Sequence, residues 1–239
     1  MLFVGSCFAD EMGRRFAEEK FRATVNPFGV MYNPASILHT IERLDETYDT
    51  AVLTLGTNHV YILKETGAIV DNCEKRPQQL FEERELSVNE CADYLQKAVS
   101  ALRRRNPSVN IVLTVSPIRY RKYGYHGSQL SKATLLLAVE KVGENYFPAY
   151  EILNDELRDY RFYNPDMLHP TDQTVEYIWQ RLVETCFSDA ARQYLEEWRP
   201  LKQALAHRPF HPESPEYQQF LRDTQTRIKA FDDKWLKKT

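Results

Sequence analysis

Apolar and polar positions along this chain repeat with two different periods, and the switches between them mark its elements. Leu2-Phe3-Val4 is an unbroken apolar run ending at Gly5. From Asp10 to Lys20, Met12, Phe16 and Ala17 then recur at helical spacing between charges. That order predicts strand, tight turn, helix. Val52-Leu53-Thr54-Leu55 before Gly56 reads as a second buried strand. Ser87 is a good N-cap with Glu90 three residues later, which predicts a helix to about Arg105, stopped by Asn106-Pro107. Asn110 to Ser116 (NIVLTVS), closed by Pro117, is the clearest strand. A helix is expected from about Ser131 to Glu144, a short strand around Tyr146–Leu153, and a helix over Thr171 to Phe187 with Val175, Ile178, Trp179, Leu182 and Val183 on one face.

Buried strands alternating with helices predict a parallel sheet covered on both sides, a three-layer α/β/α sandwich of flavodoxin-like type, over residues 1–188. Residues 189–239 hold no strand candidate and carry a Pro-rich break at Pro200, Pro209, Pro212 and Pro215. They read as a helical C-terminal extension with one long helix from about Pro215 to Leu236. Its apolar face (Tyr217, Phe220, Leu221, Ile228, Phe231, Trp235) is expected to pack on the first domain.

Composition narrows the function classes. With 239 residues and 43% hydrophobic, the chain can bury a full core. A net charge of -3 gives no broad basic field, which argues against nucleic acid as a partner. No apolar stretch approaches the roughly 20 residues of a membrane span. No signal peptide is visible, so a cytoplasmic location is the default, with a removed leader left open. Cys7, Cys73, Cys91 and Cys186 show no metal-ligand spacing and read as reduced thiols.

Four short segments can carry chemistry. Ser6 sits where the first strand turns into the first helix, an edge at which α/β sheets bind ligands and where helix amides suit a developing oxyanion. A serine N-cap would look the same. Asp166-Met167-Leu168-His169 can turn back so that the carboxylate orients the imidazole, as in activated nucleophiles; a surface loop is the plain alternative. Asn58, in Gly56-Thr57-Asn58-His59, can donate a side-chain amide to an oxyanion. Gly29, in Asn26-Pro27-Phe28-Gly29, offers a backbone amide or simply the positive-φ position of a turn.

Together these blocks resemble the SGNH/GDSL hydrolases, and more closely the GSCFA family. The matching segments are GSCFA at 5–9, NPFGVMYNP at 26–34, LGTNHVY at 55–61, DNCEKRP at 71–77, LTVSPIR at 113–119 and the stretch YFPAYEI through LRDYRFYNPDMLHP at 146–170. The resemblance implies Ser6 as nucleophile with Asp166 and His169 as partners. It implies an oxyanion hole from the Ser6 and Gly29 amides and the Asn58 side chain. The family's third block more often reads GTAWVY, so Asn58 departs from it. The link Leu44 to Thr50 is also shorter than in relatives, which carry an insertion there. Asn72, Lys75, Ser116, Arg119, Arg158, Asp159 and Arg161 are candidate pocket residues, with Arg119 and Arg161 first for substrate contact; bracing of loops is the alternative for each. His59, Tyr123 and His126 could border the same pocket. The implied activity is ester hydrolysis through an acyl-enzyme on a small-molecule or glycan ester, with a carbohydrate O-acetyl group preferred. Acyl transfer to a sugar, or glycan binding without catalysis, are the alternatives. No metal or organic cofactor is required, and the oligomeric state is left open.

Overall fold

The computed structural model describes residues 1–71, 73 and 76–236, and it divides into two compact units, Met1–Gln180 and Arg181–Thr239. The chain order in the first is β1 (Leu2–Gly5), α1 (Cys7–Glu18), β2 (Thr24–Val25), α2 (Pro34–Arg43), β3 (Thr50–Leu55), β4 (His59–Leu63), β5 (Ala68–Val70), β6 (Phe81–Glu85), α3 (Val88–Arg105), β7 (Asn110–Val115), α4 (Gly124–Val142), β8 (Asn145–Tyr146), a single turn α5 (Ala149–Glu151) and α6 (Asp172–Cys186), which runs on into the second unit. Five strands form one parallel sheet in the order β2-β1-β3-β7-β8. Alternation along β1 assigns the two faces. Leu2 and Val4 join Ile37 and Ile41 of α2, Leu95 and Leu102 of α3 and Leu135 of α4 in one buried cluster. Phe3 points the other way onto Phe16 of α1, 4.9 Å between ring centroids, and Phe16 meets Trp179 of α6 edge-on at 4.8 Å. The fold is therefore the α/β/α sandwich, with all strand C-termini on one edge.

Ser87 and Glu90 close a reciprocal capping box at the start of α3, as their spacing predicts. Three elements differ from the pattern. α4 begins at Gly124 rather than near Ser131, because its early turns bury Ser128, Ser131 and Lys132 instead of apolar residues. The strand around Tyr146–Leu153 shrinks to the edge pair Asn145–Tyr146, and helical turns follow after Pro148, which has no N–H to give a ladder. A separate antiparallel sheet, β5-β4-β6, also forms; its β6, FEERE, carries four charges in five residues, and β5 is only three residues long. The Leu44 to Thr50 link is packed rather than looped out. Leu44 and Tyr48 are buried, and Asn106 Nδ2 donates to the Tyr48 carbonyl at 2.9 Å.

The second unit is a helical hairpin. α7 (Asp189–Ala206) runs through Pro200, and α8 covers Pro215–Trp235. Phe231 of α8 lies 5.0 Å from Tyr194 and 5.3 Å from Trp198, and Trp235 lies edge-on to Tyr194 at 5.6 Å. The apolar face of α8, expected to pack on the first domain, thus meets α7 of its own unit, because burial of Tyr194, Leu195 and Trp198 outweighs the donor lost at Pro200.

Candidate active site

The site is built on the C-terminal edge of the parallel sheet. Gly5 ends β1 with φ +149, and a Cβ there would lie 2.0 Å from the Thr54 carbonyl oxygen, so only glycine lets β1 and β3 approach so closely. Ser6 follows as the N-cap of α1, fully buried, its Oγ accepting from the Phe8 amide at 3.3 Å. A hydroxyl that accepts there keeps its own hydrogen for another acceptor. Asn26 holds the corner from outside, Oδ1 accepting from Gly5 N–H at 2.8 Å and Nδ2 donating to Asp10 at 2.6 Å. The sequence drew attention to this block for Gly29 and missed Asn26, whose cue was its position in the quoted NPFG segment.

The Asp166–His169 pair closes on itself. Asp166 Oδ1 accepts from the amides of Leu168 (2.8 Å) and His169 (3.0 Å), while Oδ2 lies 2.6 Å from His169 Nδ1. Met167, at φ +62, makes the turn. The His169 side chain and then the two amides hold the Asp166 carboxyl down at about 2, so it is an anion across ordinary pH. An anion at Nδ1 makes that nitrogen the donor and leaves Nε2 as a base. Arg119 ties this loop to the end of β7, its amide donating to the Leu168 carbonyl at 3.1 Å and its Nη1 to Met167 O at 3.3 Å. Ser6 and His169 share no hydrogen bond in this geometry. Glu11, just over a turn beyond Ser6 in α1, is raised to about 7 by burial, opposed by the attraction of His169.

The expected oxyanion donors are engaged elsewhere. The Ser6 amide donates to Thr54 O at 3.1 Å. Gly29 N–H donates to Asn26 O at 2.8 Å and Gly29 sits at φ +94, so the turn reading holds for it. Asn58 is buried with Nδ2 donating to the Leu86 carbonyl at 2.8 Å, which fastens the start of β4 to the end of β6. Arg119 braces a carbonyl and is flanked by the rings of Tyr125, Tyr160 and Tyr163 at 4.7–5.7 Å. Arg161 is exposed and pairs with Asp159 at 3.0 Å. Ser116 is buried, its Oγ accepting from the Ile118 amide, and Arg158 takes the left-handed cap position at φ +52. Asn72 and Lys75 lie outside the described residues.

A cavity of about 320 Å³ opens next to this corner, lined by Tyr32, Asn33, Thr57, His59, Tyr61, Val70, Asp71, Cys73, Tyr120 and Tyr123. The Tyr32 hydroxyl lies 3.9 Å from Cys7 Sγ, one residue from Ser6. His59 stacks flat on Tyr123 at 3.6 Å, with Glu83 Oε1 3.3 Å from Nδ1 but out of line for a hydrogen bond; burial lowers the His59 pKa. The Tyr120 hydroxyl is buried without a partner, and burial pushes its pKa up. His126 is exposed on α4. Among the described residues, no His, Cys, Asp and Glu groups gather in a metal-holding cluster.

A serine at the first strand–helix turn and an Asp-x-x-His loop on the same sheet edge define the class as an α/β sandwich of the SGNH type. The chain belongs to the GSCFA family, which matches residues 1–51 and 46–182, two pieces that meet at the short Leu44 to Thr50 link. The C-terminal domain of GSCFA domain proteins matches residues 198–237. In fold the chain is similar to a Streptococcus pneumonia protein described as a platelet activating factor, 17% identical over 78% of this chain and 83% of that one, with a TM-score of 0.51. Two more distant likenesses are a carbohydrate esterase family 3 protein from Talaromyces cellulolyticus (12% identity, 70% and 69% covered, TM-score 0.40) and an acetyl esterase mutant with acetate ion (11%, 70% and 69%, 0.39). No curated protein matches the sequence.

Proposed function

We propose that this protein is a serine esterase that cleaves an acyl ester through an acyl-enzyme, with a sugar-borne O-acetyl group as its preferred substrate. The observation that carries the reading is the Asp166–His169 dyad. Its carboxylate is locked by two amides and its imidazole is oriented at 2.6 Å, on a loop that Arg119 anchors to the sheet edge bearing Ser6. Nothing in loop stability requires an imidazole to be oriented so tightly.

In the proposed reaction His169 Nε2 takes the Ser6 proton as Oγ attacks the acyl carbonyl. This step needs Nε2 within about 2.6–3.2 Å of Oγ, a contact that commonly tightens only with substrate bound. The tetrahedral oxyanion forms at the N-terminus of α1, where the helix dipole is positive and the Phe8 amide, which Ser6 Oγ accepts from at rest, can turn to the oxyanion once Oγ is acylated. Collapse breaks the ester C–O bond, and His169 returns the proton to the leaving alcohol. Water then repeats the sequence on the acyl-serine, releasing acid and regenerating Ser6.

The neighbouring cavity supports the sugar half of the reading. Aromatic faces from Tyr32, Tyr61, Tyr120 and Tyr123 suit the C–H face of a pyranose, and the phenol, Thr57 and Asp71 oxygens suit its hydroxyls. The test is hydrolysis of an aryl acetate and of acetylated monosaccharides by wild type and Ser6→Ala, with fluorophosphonate labelling of Ser6. Retained hydrolysis in Ser6→Ala would sink the proposal; product formed only when a sugar acceptor is added would move it to acyl transfer.

A further inference from the structure

Lys132 is the largest buried charge outside the proposed chemistry. It sits on α4, 1% exposed, with Nζ 2.7 Å from the Gly56 carbonyl and 2.7 Å from the Ser116 carbonyl. Its ammonium also lies over the Tyr120 ring, 5.1 Å from the centroid. No carboxylate pairs with it among the described residues. Burial pushes this amine down to about 7. An uncompensated buried cation is unfavourable, so what surrounds its nitrogen must account for a lysine here.

The two acceptors explain it. Gly56 and Ser116 are the first residues beyond the ends of β3 and β7, strands whose ladder ends at the Leu55–Val115 pair, with Ser116 N–H still reaching Leu55 O at 2.8 Å. Past that point no strand neighbour is left to satisfy either carbonyl, and their like dipoles converge on one spot. From Gly56 the chain enters Thr57 in the cavity wall. From Ser116 it passes through Pro117 to Arg119, which holds the Met167 and Leu168 carbonyls of the dyad loop. Neighbouring residues of α4 hold the same loops, Ser128 Oγ accepting from the Tyr120 amide at 3.3 Å and Ser131 Oγ from the Asn58 amide at 3.1 Å.

We propose that Lys132 is a positioning residue, an internal clamp that binds the Gly56 and Ser116 carbonyls together and so fixes the cavity wall and the dyad loop relative to each other. The role in turnover rests on the esterase reading; the clamp itself does not. The test compares wild type with Lys132→Met and with Lys132→Gln, which keeps N–H donors on a shorter arm. Amide hydrogen exchange is followed at residues 56–59, 117–119 and 167–169, together with kcat and KM on an aryl acetate and the thermal midpoint. In Lys132→Met, which leaves the Gly56 and Ser116 carbonyls without a donor, the midpoint is expected to fall by a few degrees, while exchange rises at least about tenfold in these loops and stays near wild type in the strands of the parallel sheet. By displacement of the dyad, kcat falls roughly 10- to 100-fold with KM little changed, and Lys132→Gln recovers part of both. Wild-type exchange in Lys132→Met overturns the clamp, as does a lowered midpoint with exchange raised evenly over the whole unit. Should the Met variant not fold, the wild type decides: exchange at residues 56–59 and 117–119 as fast as in exposed loops overturns the clamp. If wild-type protein cleaves no ester and Ser6 takes no fluorophosphonate, the esterase reading fails while the exchange data still decide the clamp.

Discussion

The dyad loop and the loops around Ser6 use their polar groups in opposite ways. Asp166 and His169 are partly exposed, their side chains 44% and 39% accessible, and the hydrogen bonds of the Asp166 carboxylate lie within four residues of chain. Around Ser6 the polar groups are buried, and each is held by something distant in sequence: Gly5 by Asn26, Ser6 N–H by Thr54, Asn58 by Leu86, Gly56 by Lys132. A short loop can orient an imidazole by itself. A buried corner seldom leaves backbone donors unpaired, so the backbone and core claim most of the groups that a motif would assign to the substrate.

The contrast can be broken most sharply at Ser6 itself. Ser6→Ala is expected to lower aryl acetate hydrolysis by roughly 10⁴–10⁶-fold with an unchanged circular dichroism spectrum. Asp166→Asn should cost roughly 10²–10⁴-fold in kcat, since it disturbs the tautomer that leaves Nε2 basic. Its folded pKa near 2 lies below the unfolded value of about 4, so the carboxylate's stabilisation of the loop is complete above pH 4 and lost only as pH falls through about 2. The loss is therefore read at pH 8, where the carboxylate is fully ionised, and a kcat equal to wild type there would remove Asp166 from the mechanism.

Asn58→Ala tests the other side. With the Leu86 carbonyl left unpaired it should cost about 1–3 kcal/mol, a drop of several degrees in Tm, while kcat per folded molecule stays within a factor of about 2. A hundred-fold loss of kcat at unchanged Tm would return Asn58 to the oxyanion. Glu11→Gln gives the smallest effect and the opposite sign. The Glu11 carboxyl is raised to about 7, so its protonated form favours the fold below pH 4.5 and that favour is lost as pH rises through 7. The Gln variant should be more stable than wild type by about 1–3 kcal/mol at pH 8 and equal to it at pH 4 in thermal melts.

The sequence by itself determined the parallel sandwich, because unbroken apolar strands alternating with helices leave one way to bury both sheet faces. It also determined the dyad, because Asp166 and His169 are three residues apart and their geometry is local. It set Gly5 and Ser6 at a strand–helix turn. Only the tertiary structure decided what surrounds them. The β4–β5–β6 sheet, the run of α7 through Pro200 and the buried stripe Ser128–Ser131–Lys132 depend on partners far along the chain. Lys132 has no cue of its own in the helical pattern, and its place comes from the two strand ends whose carbonyls its amine meets. Gly29 and Asn58 likewise read as oxyanion donors until the fold supplied closer acceptors. A motif specifies which groups are available, and competition for hydrogen bonds in a closed corner specifies which remain so.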